Sequence, residues 1–230
     1  MFFRRTSKYF DSNIKGFFNI IYLSKKYGVK KFIYASSSSV YGNNKVPYIE
    51  TQDVSNPINF YAMSKISNEL MARSYFNTYG FQSIGLRLFS VYGPWGRPDM
   101  AYFKFTKSIL NKEVIYLYNQ GRHVRDFTYI DDVVDAIYLI IIDKRKDYGC
   151  DIFNIGSNKP QNLINLVKNI ENITKIKPII NFLPKQIGEA SYTHSNNTKL
   201  YDIYKFKPKT KFKTGLFNFV NWFKDYYNYK

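Results

Sequence analysis

A tyrosine and a lysine four residues apart, Tyr61 and Lys65, have types and a spacing that could do chemistry. On a helix this spacing puts both side chains on one face, where an ammonium beside the phenol would lower the phenol pKa from about 10 toward the range of a general base. The spacing alone is not specific, because Tyr-x-x-x-Lys occurs six times in the chain. Tyr61 differs from the other tyrosines because Ser37 ends a predicted strand upstream of it, and a hydroxyl there could share a proton with the phenol and a substrate oxygen. The alternative is that the serine run is a loop whose hydroxyls cap the next turn.

Helices and strands that alternate along the chain would position these residues. The apolar spacing predicts helices over residues 7–27, 61–79, 100–111, 131–143, 161–174 and 215–228, and strands over 31–35, 84–89, 114–118, 151–155 and 178–183. This order is typical of a parallel sheet wrapped by helices, in which ligands bind beyond the carboxyl ends of the strands. Both the serine run and the segment that begins at Ser90 follow strands, so we expect them on one rim.

Composition and charge exclude several classes of protein. The 230 residues, 45% of them hydrophobic, are enough for one globular domain, or one domain with a small lobe. The longest apolar stretch, Ala136–Ile142, is far shorter than the roughly 18 residues of a membrane span, and no signal peptide is predicted. Cys150 is the only cysteine, which excludes an internal disulfide and any multi-cysteine metal site and favours a cytoplasmic protein. We predict no metal.

The formal net charge of +17 would favour polyanionic partners. However, the lysines are scattered along a chain that is rich in lysine, and they form no arginine-rich stripe. We therefore predict no nucleic-acid partner and no membrane association.

Several ordered motifs resemble a known family. They are Tyr34-Ala-Ser-Ser-Ser-Ser-Val-Tyr-Gly42, Tyr61-Ala-Met-Ser-Lys65 followed by Asn68-Glu69, Gly85-Leu-Arg-Leu-Phe-Ser-Val-Tyr-Gly-Pro94, Gly96-Arg-Pro-Asp-Met100 and Arg125-Asp-Phe-Thr-Tyr-Ile-Asp-Asp132. Together they resemble the NAD-dependent epimerase/dehydratase family of extended short-chain dehydrogenases, and within it the bacterial UDP-glucuronate 4-epimerases of capsule and polysaccharide biosynthesis. The resemblance runs from about Asp11 to the C-terminal helix.

The resemblance implies a mechanism. Tyr61 would remove the proton of the sugar 4-hydroxyl while hydride passes from C4 to NAD, and the 4-keto sugar would turn and take the hydride back on its other face. By resemblance, Ser37, Tyr61 and Lys65 are catalytic, and Asn13, Tyr61 and Lys65 contact the cofactor NAD.

The resemblance also assigns the substrate contacts. Ser38, Ser39 and Ser90 would hold the sugar carboxylate, Arg97 would line the pocket, Arg125 would pair with the diphosphate, Tyr116 and Tyr118 would pack on the uracil, and Gln186 and Glu189 would make the last substrate contacts. Arg125 suits its task because a guanidinium binds phosphate in bidentate geometry. Two alternatives remain open: one of the two tyrosines belongs to the core, or Arg97 is a surface arginine.

Further residues indicate the type of reaction and the class of protein. Dehydratase relatives carry an Asp-Glu pair where this chain has Ser38 and Ser39, so epimerisation is favoured over elimination of water. The first hypothesis is therefore a UDP-glucuronate 4-epimerase. The alternatives are a UDP-glucose-type 4-epimerase and a non-catalytic sugar-nucleotide-binding or subunit-pairing protein. Family members usually form homodimers through the helices that match residues 8–27 and 61–79.

One family motif is absent from this sequence. No Gly-x-x-Gly-x-x-Gly turn, which would bind the pyrophosphate of NAD at a helix N-terminus, occurs anywhere in the chain. We therefore expect residues 1–230 to be a single, N-terminally truncated epimerase domain, impaired or inactive alone. Its fold would be α/β: a partial Rossmann-type doubly wound parallel sheet, lacking the first βα units, with a small C-terminal substrate-binding lobe drawn from residues 90–125 and 150–205.

Overall fold

The computed structural model describes residues 6–145, 147–186 and 190–229. The helices are α1 (Thr6–Tyr9), α2 (Gly16–Lys26), α3 (Phe60–Tyr79), α4 (Ala101–Leu110), α5 (Ile130–Ile142), α6 (Leu163–Thr174), α7 (Thr198–Tyr204) and α8 (Phe212–Tyr226). The strands are β1 (Phe32–Ser37), β2 (Ser83–Leu88), β3 (Ser90–Tyr92), β4 (Val114–Tyr118), β5 (Val124–Arg125), β6 (Phe127–Tyr129), β7 (Cys150–Ile155), β8 (Gln161–Asn162) and β9 (Ile179–Leu183).

A three-stranded parallel sheet of order β1–β2–β7 forms the centre of the molecule. Residues of α2 and α3 pack with Phe32 and Tyr34 on one side of it, and α5 and α7 pack with Ile84 and Phe153. The predicted α/β fold with a helix-covered parallel sheet is confirmed. No helix in the described ranges is long and apolar enough to cross a lipid bilayer.

The remaining strands form three two-stranded pairs. Strands β3–β6 and β4–β9 pair in parallel, and β5–β8 pair antiparallel. Beside them the largest hydrophobic cluster joins residues of α4, α6 and α8, with Phe103, Leu166 and Phe219 among them. Helix α8 thus contributes to the core of this part of the molecule, although it lies outside the ranges predicted for the lobe.

Every helix and strand predicted from the sequence is present, and no end differs by more than three residues. The predicted helix over residues 7–27 is interrupted by a π-helical turn at Phe10–Lys15. The sequence analysis did not predict β3, β5, β6, β8 and α7. The four strands have two or three residues and α7 has seven, which is too few to show a clear periodicity. The serine run is also divided: Ser36 and Ser37 complete β1, and residues Ser38–Tyr41 form a 3₁₀ turn.

Helix α3 has well-defined ends and a narrow buried face. The Asn59 side chain caps its N-terminus by accepting a hydrogen bond of 2.8 Å from the Ala62 amide, and Gly80 ends it at φ +63°. Its buried residues are mostly small, with Ala62, Ser64 and Ala72 among them. Small side chains let the helix lie close to the sheet, which brings its first turn to the end of β1.

Candidate active site

The first turn of α3 and the carboxyl end of β1 bring Tyr61 and Ser37 into contact. The Ser37 hydroxyl lies close enough to the Tyr61 phenol to lower its pKa as a hydrogen-bond partner. The same hydroxyl accepts a hydrogen bond of 3.1 Å from the Ser39 amide. The aromatic ring of Tyr9 lies 5.5 Å from that of Tyr61, centroid to centroid. Because Ser37, Leu88 and Ile155 are in register, the segments that follow the three central strands start from one edge, as expected for a ligand-binding rim.

The pKa of Tyr61 is raised, opposite to the direction expected from the sequence. Burial is the largest cause, and the Ser37 hydrogen bond and the positive charge of Arg97 act in the other direction without reversing it. Tyr9 adds to the upward shift. A half-buried phenol loses hydration of its charged form, and this cost outweighs the neighbours that favour the phenolate.

Lys65 lies beside the phenol ring but does not donate to its oxygen. Its Nζ is 5.9 Å from the centroid of the Tyr61 ring and donates a hydrogen bond of 2.8 Å to the backbone oxygen of Ala35 in β1. Burial lowers the pKa of Lys65, which favours its neutral form. The ammonium is therefore anchored on the strand that ends in Ser37.

Asn13 lies in the π-helical turn and contacts α3. Its Nδ2 donates to Ser64 Oγ at 2.9 Å, and the Ser64 hydroxyl donates to the backbone oxygen of Tyr61 at 2.8 Å. The residue predicted to contact the cofactor is therefore hydrogen-bonded to the turn that carries Tyr61. A π-helical turn rotates the residues that follow it relative to an α-helix, and such turns occur frequently at functional sites.

The three serines predicted to hold the sugar lie on two segments. Ser38 and Ser39 form the start of the 3₁₀ turn that follows β1, and both are half-buried. Ser90 begins β3, and its amide donates to the backbone oxygen of Asp126 at 3.0 Å. Ser38 and Ser39 therefore share the turn after Ser37, whereas Ser90 is tied to the segment that carries Arg125.

Arg97 is both exposed and electrostatically coupled to Tyr61. Its side chain is 71% exposed and forms a two-pronged ion pair with Asp99, with contacts of 3.0 and 2.5 Å. That pairing, chiefly its hydrogen bonds, raises the pKa of Arg97 and lowers that of Asp99. The positive charge still lowers the pKa of Tyr61. Arg97 is thus a surface arginine that still lies close enough to the phenol to lower its pKa.

The remaining predicted contacts lie on short strands or in exposed segments. Tyr116 and Tyr118 share one face of β4, opposite the buried Ile115 and Leu117, and Tyr116 is 53% exposed. Neither tyrosine is buried in the core, so the alternative that one of them is a core residue is wrong. Arg125 lies in β5 and donates to the backbone oxygen of Val124 at 3.0 Å. Gln186 is exposed, and Glu189 lies outside the described residues.

The sequence reasoning missed Asp126, a buried carboxylate next to Arg125. Asp126 accepts hydrogen bonds from the hydroxyls of Ser157 at 2.5 Å and Ser195 at 2.6 Å, and from the amides of Ser157, Asn158 and Ser195 at 2.8 to 3.1 Å. It thereby joins the segment after β7 to the segment before α7. Asp126 lies within a motif already quoted, but nothing local in the sequence reveals its partners. Tyr9 was missed for the same reason.

Comparisons with known proteins agree with this arrangement. The model of the NAD dependent epimerase/dehydratase family matches residues 2–156. The chain is 42% identical to Protein CapI of Staphylococcus aureus, in an alignment that covers 95% of this chain and 70% of that protein. It is 39% identical to UDP-glucuronate 4-epimerase 3 of Arabidopsis thaliana, with 96% of this chain matched to 55% of that protein. The chain therefore spans only part of the length of these relatives.

Two solved structures have the same fold. A variant of the UDP-glucuronic acid 4-epimerase from Bacillus cereus, in complex with UDP-4-deoxy-4-fluoro-glucuronic acid and NAD, superposes with a TM-score of 0.88 at 28% identity, over 94% of this chain and 68% of that one. The UDP-glucose 4-epimerase from Thermotoga maritima with UDP-glucose superposes with a TM-score of 0.88 at 31% identity, over 97% and 73%.

Proposed function

The chain belongs to the NAD-dependent epimerase/dehydratase family, and we propose that it acts as a nucleotide-sugar 4-epimerase that interconverts UDP-glucuronate and UDP-galacturonate with NAD. The observation that carries this proposal is the position of Ser37, at the end of β1, beside the Tyr61 phenol in the first turn of α3, where the hydroxyl lowers the phenol pKa. A hydroxyl and a phenol in contact provide a path for the proton of a sugar 4-hydroxyl.

The residues at the rim fit the nicotinamide end of NAD. Tyr61 and Lys65 present a phenol and an ammonium four residues apart on one side of α3, and an ammonium is a suitable donor to the hydroxyls of a ribose. Asn13 adds an amide on the adjoining turn. Among the described residues no helix begins at a Gly-x-x-Gly-x-x-Gly turn, so the fit extends to this end of the cofactor only. When bound, NAD supplies the hydride acceptor and donor at the sugar C4.

The chain's own residues would handle the proton and the sugar. Tyr61 accepts the proton of the 4-hydroxyl, and the Ser37 hydroxyl stays hydrogen-bonded to the phenol throughout. The positive charge of Arg97 stabilises the phenolate that burial disfavours, and Lys65 is held beside the ring by the Ala35 carbonyl. Ser38, Ser39 and Ser90 donate hydrogen bonds to the sugar carboxylate, and Arg125 pairs with the diphosphate in the geometry that suits a guanidinium.

A UDP-glucose-type 4-epimerase is the second candidate. The observation that favours it is the likeness to the Thermotoga maritima UDP-glucose 4-epimerase, which is slightly more identical to this chain than the Bacillus cereus enzyme is. Preference for UDP-glucuronate rests on the serine hydroxyls alone. A comparison of kcat/KM for UDP-glucuronate and UDP-glucose separates the two candidates.

A homodimer through α2 and α3 accompanies the proposal. Both helices expose large apolar side chains, with Phe18 at 47%, Ile20 at 56% and Leu70 at 64% exposure. Apolar residues in such numbers on adjacent helices are typical of an interface. Sedimentation equilibrium measures the assembly directly, and a chain that remains monomeric would contradict this part of the proposal.

The test of the proposed function is turnover by the full chain. Purified chain with saturating NAD and UDP-glucuronate should form UDP-galacturonate, detected by anion-exchange chromatography, at an impaired rate because the glycine turn that would bind the pyrophosphate of NAD is absent from this sequence. Tyr61→Phe should reduce that rate further, by about two to four orders of magnitude. Full activity of this variant would show that Tyr61 is not the base. If the unmutated chain forms no product, residues 1–230 are inactive alone, and the proposal that this chain itself catalyses epimerisation is wrong. Retained binding of UDP-glucuronate, lost in Arg125→Ala, would then favour the non-catalytic alternative.

A further inference from the structure

A buried carboxylate lies at the centre of a hydrogen-bond network behind the rim. Glu69 accepts two hydrogen bonds from the Arg87 guanidinium, at 2.9 and 2.7 Å, and one from the Ser36 hydroxyl, at 2.5 Å. Ser36, Glu69 and Arg87 are only 3%, 7% and 2% exposed. An ion pair buried this deeply keeps its place only with good geometry and further hydrogen bonds, because both charges have lost their hydration.

The network joins the two elements that carry the reacting residues. Glu69 lies on α3, four residues after Lys65 and eight after Tyr61, so it shares their side of the helix. Ser36 precedes Ser37 in β1, and it pairs in register with Arg87 of β2. Directional hydrogen bonds from Ser36 and Arg87 to one carboxylate therefore connect the end of β1 to the middle of α3.

The same network extends to the turn after Ser37. The Arg87 guanidinium lies 4.7 Å from the centroid of the Tyr41 ring, and the Tyr41 hydroxyl donates to Asn154 Oδ1 at 2.6 Å. Tyr41 ends the 3₁₀ turn that begins with Ser38. Arg87 thus supports the strand on one side of Ser37 and the turn on its other side.

We propose that Ser36 is a positioning residue, which acts through Glu69 and Arg87 to hold the Ser37 hydroxyl within hydrogen-bonding reach of the Tyr61 phenol. The role in turnover rests on the proposed epimerase function, but the positioning itself does not. In a β-strand, Ser36 faces the same side as Phe32 and Tyr34, which pack with Ala72 of α3. The hydrogen bond from Ser36 to Glu69 therefore connects that side of β1 to α3 at the residue immediately before Ser37.

The experiment reads the phenol directly and needs neither NAD nor turnover. The full chain is prepared with 3-fluorotyrosine at position 61, and the pH of half-titration is measured by ¹⁹F NMR. Among the residues that the structure describes, the titratable, charged and hydroxyl groups near the phenol are Tyr9, Ser37, Lys65 and Arg97. The Ser37 hydrogen bond lowers the phenol pKa, so its loss should raise the midpoint. We expect Ser36→Ala to raise it by roughly half a unit to one unit, which is the size of one net hydrogen bond.

A double-mutant cycle tests the route through Ser37. Ser37→Ala should raise the midpoint, and Ser36→Ala should add no further shift in that background, because its effect passes through Ser37. Ser36→Thr keeps a hydroxyl and should return the midpoint to that of the unmutated chain. An unchanged midpoint in folded Ser36→Ala would overturn the proposal, as would an equal shift in the presence and absence of Ser37.

Ser83→Ala is the matched control. Ser83 is also a fully buried serine, but it lies at the far end of β2 and contacts Cys150 Sγ at 3.5 Å. Its replacement should leave the midpoint unchanged. If Ser36→Ala does not fold, Glu69→Asp replaces it, because the shorter side chain withdraws the carboxylate from Ser36 and should cause the same upward shift. In the active chain, Ser36→Ala should lower kcat several-fold with little change in KM, whereas failure of the proposed function removes turnover and leaves the titration readable.

Discussion

The rim around Tyr61 and the segments around Arg125 and Tyr116 are built in different ways. At the rim, Ser37 ends a six-residue strand of the central sheet, and Tyr61 lies in the first turn of a 20-residue helix that packs on this sheet. Arg125 lies in a two-residue strand, and Tyr116 lies on an exposed face of β4. The partner strand of β4, β9, is exposed over most of its length. Groups that would move a proton are thus carried by long elements of the sheet layer, whereas groups assigned to the nucleotide lie on short or exposed strands, with Tyr116 the most exposed of them.

Each region nevertheless has one buried carboxylate at its centre. Glu69 binds a guanidinium and a hydroxyl and joins regular elements, whereas Asp126 binds backbone amides and hydroxyls and joins irregular segments. An ion pair behind the rim resists displacement of a strand relative to a helix. A carboxylate that accepts several amides fixes loop conformation instead.

Breaking the buried ion pair should produce the largest loss of stability. Arg87→Ala leaves the Glu69 charge buried without its partner, and we expect the free energy of unfolding to fall by about 3–5 kcal/mol. Arg97→Ala is the matched control, since it removes an arginine from an exposed pair and should cost no more than about 1 kcal/mol. Urea unfolding followed by circular dichroism measures both. Equal losses would mean that burial of the pair is not what distinguishes the rim.

Asp126→Asn should give a smaller and more local loss. The amide can accept fewer of the hydrogen bonds that Asp126 now receives, so we expect a loss of about 1–3 kcal/mol. Hydrogen exchange followed by mass spectrometry should show faster exchange at residues 156–158 and 193–195, with β1 unaffected. Faster exchange throughout β1 would show that the two regions do not open independently.

Tyr116→Ala should separate binding from stability. Because Tyr116 is 53% exposed, its loss should change the free energy of unfolding by no more than about 0.5 kcal/mol. Calorimetric titration should show a Kd for UDP-glucuronate raised about tenfold, the size expected for one lost aromatic contact. Ile115→Ala, on the buried face of the same strand, should instead cost about 2–5 kcal/mol of stability. Unchanged UDP-glucuronate binding in Tyr116→Ala would refute the assignment to the uracil.

The smallest effect concerns the pH dependence of turnover. Burial raises the pKa of Tyr61, so the base form becomes more populated as pH rises, and kcat/KM should increase toward alkaline pH. Arg97→Gln removes a charge that lowers this pKa and should move the rising limb upward by less than about one unit, since Arg97 is exposed and screened by solvent. High salt should produce a similar shift in the unmutated chain and none in the variant. A downward shift in Arg97→Gln would contradict the coupling.

The same pKa shift has a consequence for stability. A phenol whose folded-state pKa lies above its unfolded-state value keeps its proton longer in the folded chain. Its contribution to stability is therefore present below the unfolded value of about 10 and is lost as pH rises through the folded value. Tyr61→Phe should flatten this part of the stability profile, measured by urea unfolding between neutral and alkaline pH.

The sequence by itself determined the long helices and strands, and it indicated which of them carry the reacting side chains. Apolar periodicity is a local property, so the order of helices and strands, the helix that begins near Tyr61 and the strand that ends near Ser37 could all be predicted. The parallel arrangement then implied a common rim, because the carboxyl ends of parallel strands meet at one edge.

Only the tertiary structure decided how those residues are held and charged. It showed that Lys65 binds a backbone carbonyl, that Arg97 is paired with Asp99, and that Ser36, Glu69 and Arg87 meet behind the rim. It also reversed the expected direction of the Tyr61 pKa shift. Each of these results depends on burial and on contacts between residues far apart in the chain, and neither can be inferred from spacing along the sequence.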